Sequence, residues 1–167
     1  MTEKTIARPH PSGGGGETRR HARPSPPVRA PARGRFRHVF AALDLGTNNC
    51  RLLVARPEPK GFKVIDAFSR TVRLGEGLAH HGVLSETAMR RAVEAVRICA
   101  QKMRRHGVSR MRAIATAACR HAENGAEFIE RIAKETGVRF DIVTAEEEAH
   151  FAVAGVSALL GEAQLQT

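Results

Sequence analysis

Val39-Phe40-Ala41-Ala42-Leu43-Asp44-Leu45-Gly46-Thr47-Asn48-Asn49-Cys50-Arg51-Leu52-Leu53-Val54-Ala55-Arg56 is the stretch from which the fold is read. Val39 to Leu43 is a short uninterrupted apolar run, the signature of a buried strand. The polar turn Asp44 to Asn49 follows, and Cys50 to Arg56 resumes as a second strand. Two strands joined through a Gly/Asn turn read as a hairpin. Pro57 to Gly61 make another turn, and Phe62 to Arg70 alternate with period two, so three strands form an antiparallel meander.

Downstream, the apolar period lengthens. Met89, Ala92, Val93, Val96, Cys99, Ala100 and Met103 recur on one face of a helix running from an N-cap at Ser85 to about His106, with Gly107 closing it. Met111 to Ala115 read as a fourth strand. Asn124 and Glu127 have capping-box spacing, so a helix is predicted over Gly125 to Thr136, stopped by Gly137. Arg139 to Val143 read as a fifth strand, and Thr144 with Glu147 opens a last helix toward Leu160. The order β-β-β-α-β-α-β-α describes an α/β domain with a mixed sheet.

The preceding residues differ in kind. Up to His38 there are nine Lys/Arg against two acids, a net of +7, whereas Val39 onward carries 18 against 15, a net of +3. The same segment holds six of the eight prolines and the run Gly13 to Gly16. Too little apolar surface is available there to offset chain entropy, so residues 1–36 are expected to be a disordered basic tail and 37–167 the folding unit.

Several functional classes are disfavoured by composition. No stretch reaches the roughly 18–20 apolar residues of a membrane helix. Arg19-Arg20 is followed by Pro24, Pro26 and Pro27 instead of an apolar export signal. Cys50, Cys99 and Cys119 are odd in number and form no C-x-x-C pair, which argues against disulfides and zinc and fits a reducing cytoplasm. With no Trp, no Tyr and seven Phe, specific reading of single-stranded nucleic acid lacks its stacking surfaces.

Three segments offer chemistry. Asp44 with Gly46, Thr47, Asn48 and Asn49 places a carboxylate and backbone N–H groups at the end of a strand, suited to metal or water and to phosphate; it can equally be a hairpin turn in which Asp44 accepts backbone bonds. Thr116-Ala117-Ala118-Cys119-Arg120 could bring a guanidinium fork to phosphate, although taken alone Arg120 reads as an exposed loop arginine. His80, His81 and His121 read as solvated loop residues, and Cys119 as unreactive. Glu146-Glu147-Glu148 suits a helix N-terminus, with Glu147 capping through Thr144 and Glu148 free to act as a general base.

Together these segments resemble the exopolyphosphatase/guanosine pentaphosphate phosphohydrolase (Ppx/GppA) family within the actin-like superfamily. The matching residues are Ala42 to Leu53, Arg73-Leu74-Gly75-Glu76-Gly77-Leu78, Ala115 to Arg120, and Ala145-Glu146-Glu147-Glu148-Ala149. The resemblance implies an actin-like ATPase (ribonuclease H-like) domain, the first of two lobes. It implies a phosphate-binding loop at Gly46 to Asn49, Mg²⁺ or water held by Asp44, a phosphate contact from Arg120, and Glu148 as the base for the attacking water. The implied reaction releases terminal orthophosphate from polyphosphate or pppGpp, in the cytoplasm, and leaves room for a homodimer of the full-length protein. His150 stands where the family often has arginine, and Asn49 where it often has serine. The family's second phosphate loop, of the Asp-x-Gly-Gly-Gly-Ser type, is not present before Thr167, so the chain is expected to be a first lobe with negligible turnover alone. Two other readings compete: an ATP-binding domain of the Hsp70 or sugar-kinase type, suggested by Asp44 to Thr47, and a noncatalytic polyanion-binding remnant.

Overall fold

The computed structural model describes residues 38–59 and 61–160, with side chains up to residue 155. The expected tail, residues 1–36, and the end of the expected domain, 161–167, lie outside the described residues.

Strand β1 (Phe40–Leu45) is the centre of a five-stranded sheet of order β3-β2-β1-β4-β5. It pairs antiparallel with β2 (Asn49–Glu58), which pairs antiparallel with β3 (Gly61–Thr71). On its other side it pairs parallel with β4 (Arg110–Ala115), which pairs parallel with β5 (Asp141–Ile142). Helices α1 (Leu78–His81) and α2 (Glu86–Arg105) connect β3 to β4, α3 (Ala117–His121) and α4 (Gly125–Thr136) connect β4 to β5, and α5 (Ala145–Leu160) follows. This is a mixed-sheet α/β architecture, as the strand and helix periods predict.

Alternation in β1 decides which face is covered. Ala41, Leu43 and Leu45 are buried, and the register sets Leu43 beside Leu52 and Ala113, and Leu45 beside Cys50 and Ala115. Against this face α2 lays Ala88, Ala92, Val93, Val96, Cys99 and Met103, and α4 adds Phe128 and Ile132. Full burial of each large apolar side chain contributes about 1.5–3 kcal/mol, so the helix layer stabilises a hairpin that would be marginal alone. The Ser85 hydroxyl accepts from Ala88 N at 3.3 Å and starts α2 where the spacing predicts. The opposite sheet face carries Ala42, Asp44, Arg51, Leu53, Arg112 and Ile114, and there α5 approaches through Phe151, whose ring lies 5.8 Å from the Arg112 guanidinium.

Four expectations need correction. The fifth strand is two residues long, because Phe140 and Val143 on either side of it turn into the core and only Ile114–Asp141 and Ala115–Ile142 pair. The element order gains two short helices, α1 and α3, too brief for a period to show. His80, His81 and Arg120 consequently sit on helical turns and not in loops, as does His121. The Asn124 side chain does not cap α4: its Oδ1 accepts from Leu84 N at 2.8 Å and its Nδ2 donates to Leu84 O at 3.0 Å, satisfying both polar groups of a half-buried residue.

Candidate active site

The site forms where β1 and β4 end side by side. Gly46 N donates to Asn49 O at 2.9 Å, closing the turn between β1 and β2. The Thr47 carbonyl accepts from Gly75 N at 3.0 Å, and the Asn48 carbonyl from Val72 N and Arg73 N at 2.8 and 3.0 Å. The turn's carbonyls are therefore engaged from behind. The N–H groups of Thr47 and Asn48 donate to no acceptor among the described residues, which leaves a pair of backbone donors for an anion.

The brace behind this turn is the Arg73 to Leu78 segment. Leu74 is fully buried, and a Cβ on Gly75 would collide with the Thr47 methyl while standing 3.8 Å from the Thr47 carbonyl, so glycine lets the Thr47 side chain pack against this segment in its present rotamer. Arg73 takes a left-handed conformation at φ 47°, uncommon for a side-chain-bearing residue. Arg91 from α2 holds it there, with Nε donating to Val72 O at 2.8 Å and Nη2 to Arg73 O at 3.3 Å and to Glu76 Oε2 at 2.6 Å. The Arg-Leu-Gly-Glu signal lay in the sequence, but Arg91 is thirteen or more residues beyond it and carries no local mark.

Asp44 points to the open sheet face, opposite Arg51 on β2 and Ile114 on β4. It lines a cavity of about 660 Å³ with Arg51, Arg112 and Phe151. Partial burial raises its pKa above the usual carboxylate value, Arg51 opposes that shift, and the negative charge of Glu148 adds to it. Asp44 and Glu148 therefore feel one another across the site. Gly46 lies between groups of this site: a Cβ there would stand 3.9 Å from both Asp44 Oδ2 and Thr116 Oγ1.

Arg120 arrives on α3. Thr116 N donates to Leu45 O at 3.1 Å, tying the end of β4 to β1, and the Thr116 carbonyl accepts from Cys119 N and Arg120 N to start the helical turn. Gly125 packs against the Cys119 backbone, so α4 sits directly on α3. The Arg120 guanidinium, three-quarters buried, donates to Val143 O at 2.6 Å and lies 3.7 Å from Glu148 Oε2. Cys119 is buried, which pushes its thiol up to about 12 and agrees with an unreactive side chain.

The three acids of α5 divide as their spacing suggests. Glu147 completes the capping box, accepting from Thr144 N at 2.9 Å while its own N–H donates to the Thr144 hydroxyl at 3.1 Å. Glu146 is held below the ordinary glutamate range by its own backbone amide and the Thr144 hydroxyl. Glu148 is left over to face Arg120 and Asp44. The structure thus brings Asp44, Arg120 and Glu148 together, with Gly46 to Asn49 on the rim. His80, His81 and His121 are exposed; His121 lines a small hollow beside Thr47 and Gly75.

A mixed-sheet α/β domain with a glycine turn, an arginine and two carboxylates gathered at its strand ends presents groups suited to an anion. The sequence matches the model of the Ppx/GppA phosphatase family over residues 53–166, and the chain belongs to that family. Arg73 to Leu78, Arg120 and Glu148 fall within the matched residues, whereas Asp44 and Gly46 to Asn49 precede them. Among solved structures, the Ppx/GppA family member of Aquifex aeolicus is similar at 27% identity and a TM-score of 0.69, covering 72% of this chain and 40% of that one. An exopolyphosphatase-like protein is similar at 34% identity and a TM-score of 0.64, covering 67% of this chain and 34% of that one. An exopolyphosphatase from Cytophaga hutchinsonii is similar at 26% identity and a TM-score of 0.65, covering 68% and 36%. The chain therefore spans about 34–40% of the length of these relatives.

Proposed function

We propose that this domain is the first lobe of a phosphoanhydride hydrolase that removes terminal orthophosphate from inorganic polyphosphate or from pppGpp in the cytoplasm. The observation that carries this reading is the convergence of Asp44, Arg120 and Glu148 beside the free amides of Thr47 and Asn48. Phosphoryl transfer demands little covalent chemistry from the protein; it requires neutralised phosphate oxygens and a positioned nucleophile. The Thr47 and Asn48 amides bind the terminal phosphate, Arg120 neutralises its oxygens, and Glu148 orients a water and accepts its proton. The hydrogen bond from Arg120 to Val143 O fixes the guanidinium before substrate arrives, which lowers the ordering cost on binding.

The residues also fit Mg²⁺. Burial raises the Asp44 pKa, with the negative charge of Glu148 a smaller addition, and a divalent cation would offset both by stabilising the two carboxylates. Among the described residues no group of three carboxylate, His or Cys side chains gathers. That suits an ion which keeps several waters and binds through one or two carboxylates and substrate phosphates. Asp44 would hold it, and bound there it would supply further charge neutralisation on the phosphates.

Turnover belongs to the protein at the length of its relatives, and the 167-residue chain alone is expected to show very little. In that longer protein Glu148→Gln lowers kcat by about 10²–10⁴-fold while KM changes little, since a base acts on the water and not on binding. Orthophosphate release from polyphosphate and pppGpp is the assay. Undiminished kcat in Glu148→Gln would remove Glu148 from the reaction.

A further inference from the structure

At the end of the sheet away from the candidate active site, the end of α2, the start of β4 and the end of α4 enclose a groove of about 410 Å³. Arg110 opens β4 there, and the rise of about 3.3 Å per residue sets it roughly 17 Å from Ala115 at the site. Met103, Val108, Met111 and Val138 form the apolar part of the lining, and Arg104 and Arg110 the charged part. Met103 and Val138 are buried, whereas Met111 is 42% exposed, so a large apolar side chain in the groove is open to solvent.

The charge in this groove is uncompensated. Carboxylates on the surrounding elements are taken: Glu135 by Arg97 at 3.3 Å and Arg131 at 2.8 Å, Asp66 by Lys102 at 2.9 Å and His106 at 2.8 Å, and Asp141 by Arg112 at 3.6 Å. Arg104 and Arg110 have no carboxylate partner among the described residues, and neither do Arg105 and Arg139, exposed next to Arg104 and Val138 in the chain. The residues up to His38, with nine Lys/Arg against two acids, carry the same sign and are no complement to it. An apolar floor between guanidinium groups is a poor match for nucleic acid, whose phosphates gain nothing from it and whose bases find no aromatic ring in the lining. It matches a peptide helix that sets an apolar side chain into the groove and carboxylates on its flanks, and pliable methionines suit such an anchor.

We propose that the groove between the ends of α2 and α4 is a docking site for an acidic amphipathic helix of a partner protein, with the partner's apolar side chain seated between Met103 and Met111 and its carboxylates on Arg104 and Arg110. The site is separate from the phosphate loop and does not depend on the functional reading above.

The methionines supply the test, since Met103 and Met111 lie in the groove, Met89 near the start of α2 and Met1 at the start of the chain. The 167-residue chain, labelled with ¹³C on its methionine methyls, is titrated by NMR with a synthetic helix of about four turns that has Leu at i, i+3, i+4 and i+7 and Glu elsewhere. The Met111 and Met103 methyls are expected to shift and Met89 to stay. Replacing the peptide's Leu by Ser, or its Glu by Gln, is expected to raise the half-saturating concentration about ten-fold. A DNA duplex and long polyphosphate are expected to leave Met111 in place. In Arg104→Gln/Arg110→Gln half-saturation rises about five-fold, as two exposed ion pairs are lost. An unchanged Met89 signal reports that the variant is folded; if it is not, Arg104→Gln alone, on an exposed helix position, is read the same way with a rise of about two-fold. No Met111 shift with the Leu/Glu helix, or a shift of Met1 alone, overturns the docking site. An equal response to the Ser version overturns the apolar anchor, and unchanged half-saturation in the variant overturns the role of the two arginines. A Met111 shift of equal strength with the DNA duplex overturns a peptide as the occupant.

Discussion

Replacing Gly125 by alanine tests the packing that delivers Arg120. Gly125 opens α4 against the backbone of α3, and a Cβ built on it lands on the Cys119 carbonyl oxygen, 2.8 Å from the carbonyl carbon and 3.2 Å from Cα. Ordinary contact begins at 3.4 Å, so the carbon alone must retreat 0.6 Å, and every obstructing atom is backbone. Relief therefore displaces α3 as a body, with Arg120 as the next residue along it. Overpacking of this kind costs about 1–3 kcal/mol. Loosening the Arg120 bond to Val143 O adds about 1.5 kcal/mol, for a total near 3 kcal/mol. At about 2.1 cal/mol/K of unfolding entropy per residue over ~120 residues, the melting temperature falls by about 12 °C. Gly137→Ala is the control. Gly137 has φ 76° and open space around its Cα, so alanine there meets only backbone strain of about 1 kcal/mol, or about 4 °C. Calorimetry on the two variants is the assay. A Gly125→Ala melting temperature at or above that of Gly137→Ala would refute the close approach of α4 to α3.

Two further outcomes concern titration. Because burial raises the Asp44 pKa in the fold, its ionised form opposes folding; the penalty is absent below the unfolded value of 3.8 and complete above the folded one. Asp44→Asn should thus stabilise the chain at pH 7.5 relative to pH 3.5 in urea denaturation, and a loss of stability at pH 7.5 contradicts the assignment. Asp66 has the opposite sign: hydrogen bonds from Lys102 Nζ at 2.9 Å and His106 Nε2 at 2.8 Å hold its carboxyl at about 2, below 3.8. The stability it contributes is present above 3.8 and lost as pH falls toward 2, so the gap between the parent and Asp66→Asn should close over that interval. A gap constant with pH would show that the clamp is not electrostatic.

Local signals were legible wherever they repeat or cap. The 3.6-residue period of α2, the Ser85 cap, Gly137 in its left-handed conformation and the Thr144–Glu147 box all stand where the spacing predicts. Asn124 has the same spacing as Thr144 and a different task, because Leu84, 40 residues away in sequence, competes for its amide. Helices α1 and α3 escaped because four or five residues hold barely one period. Asp44, Arg120 and Glu148 were each visible as residue types able to bind phosphate or move a proton, but each also had an ordinary explanation within its own segment.

What the sequence by itself determined is the five strands and the three longer helices and their order, since these depend on neighbours within a few residues. Only the tertiary structure decided that β4 lies parallel beside β1. That pairing sets α3 and α5 at the same strand ends as the Gly46 turn and brings three side chains spread over more than a hundred residues to one place. It likewise decided that Arg91 is spent on the brace. The physical reason is the same in each case: hydrogen bonds and ion pairs are exclusive, and which partner takes a guanidinium or a carbonyl depends on distances that no local pattern contains.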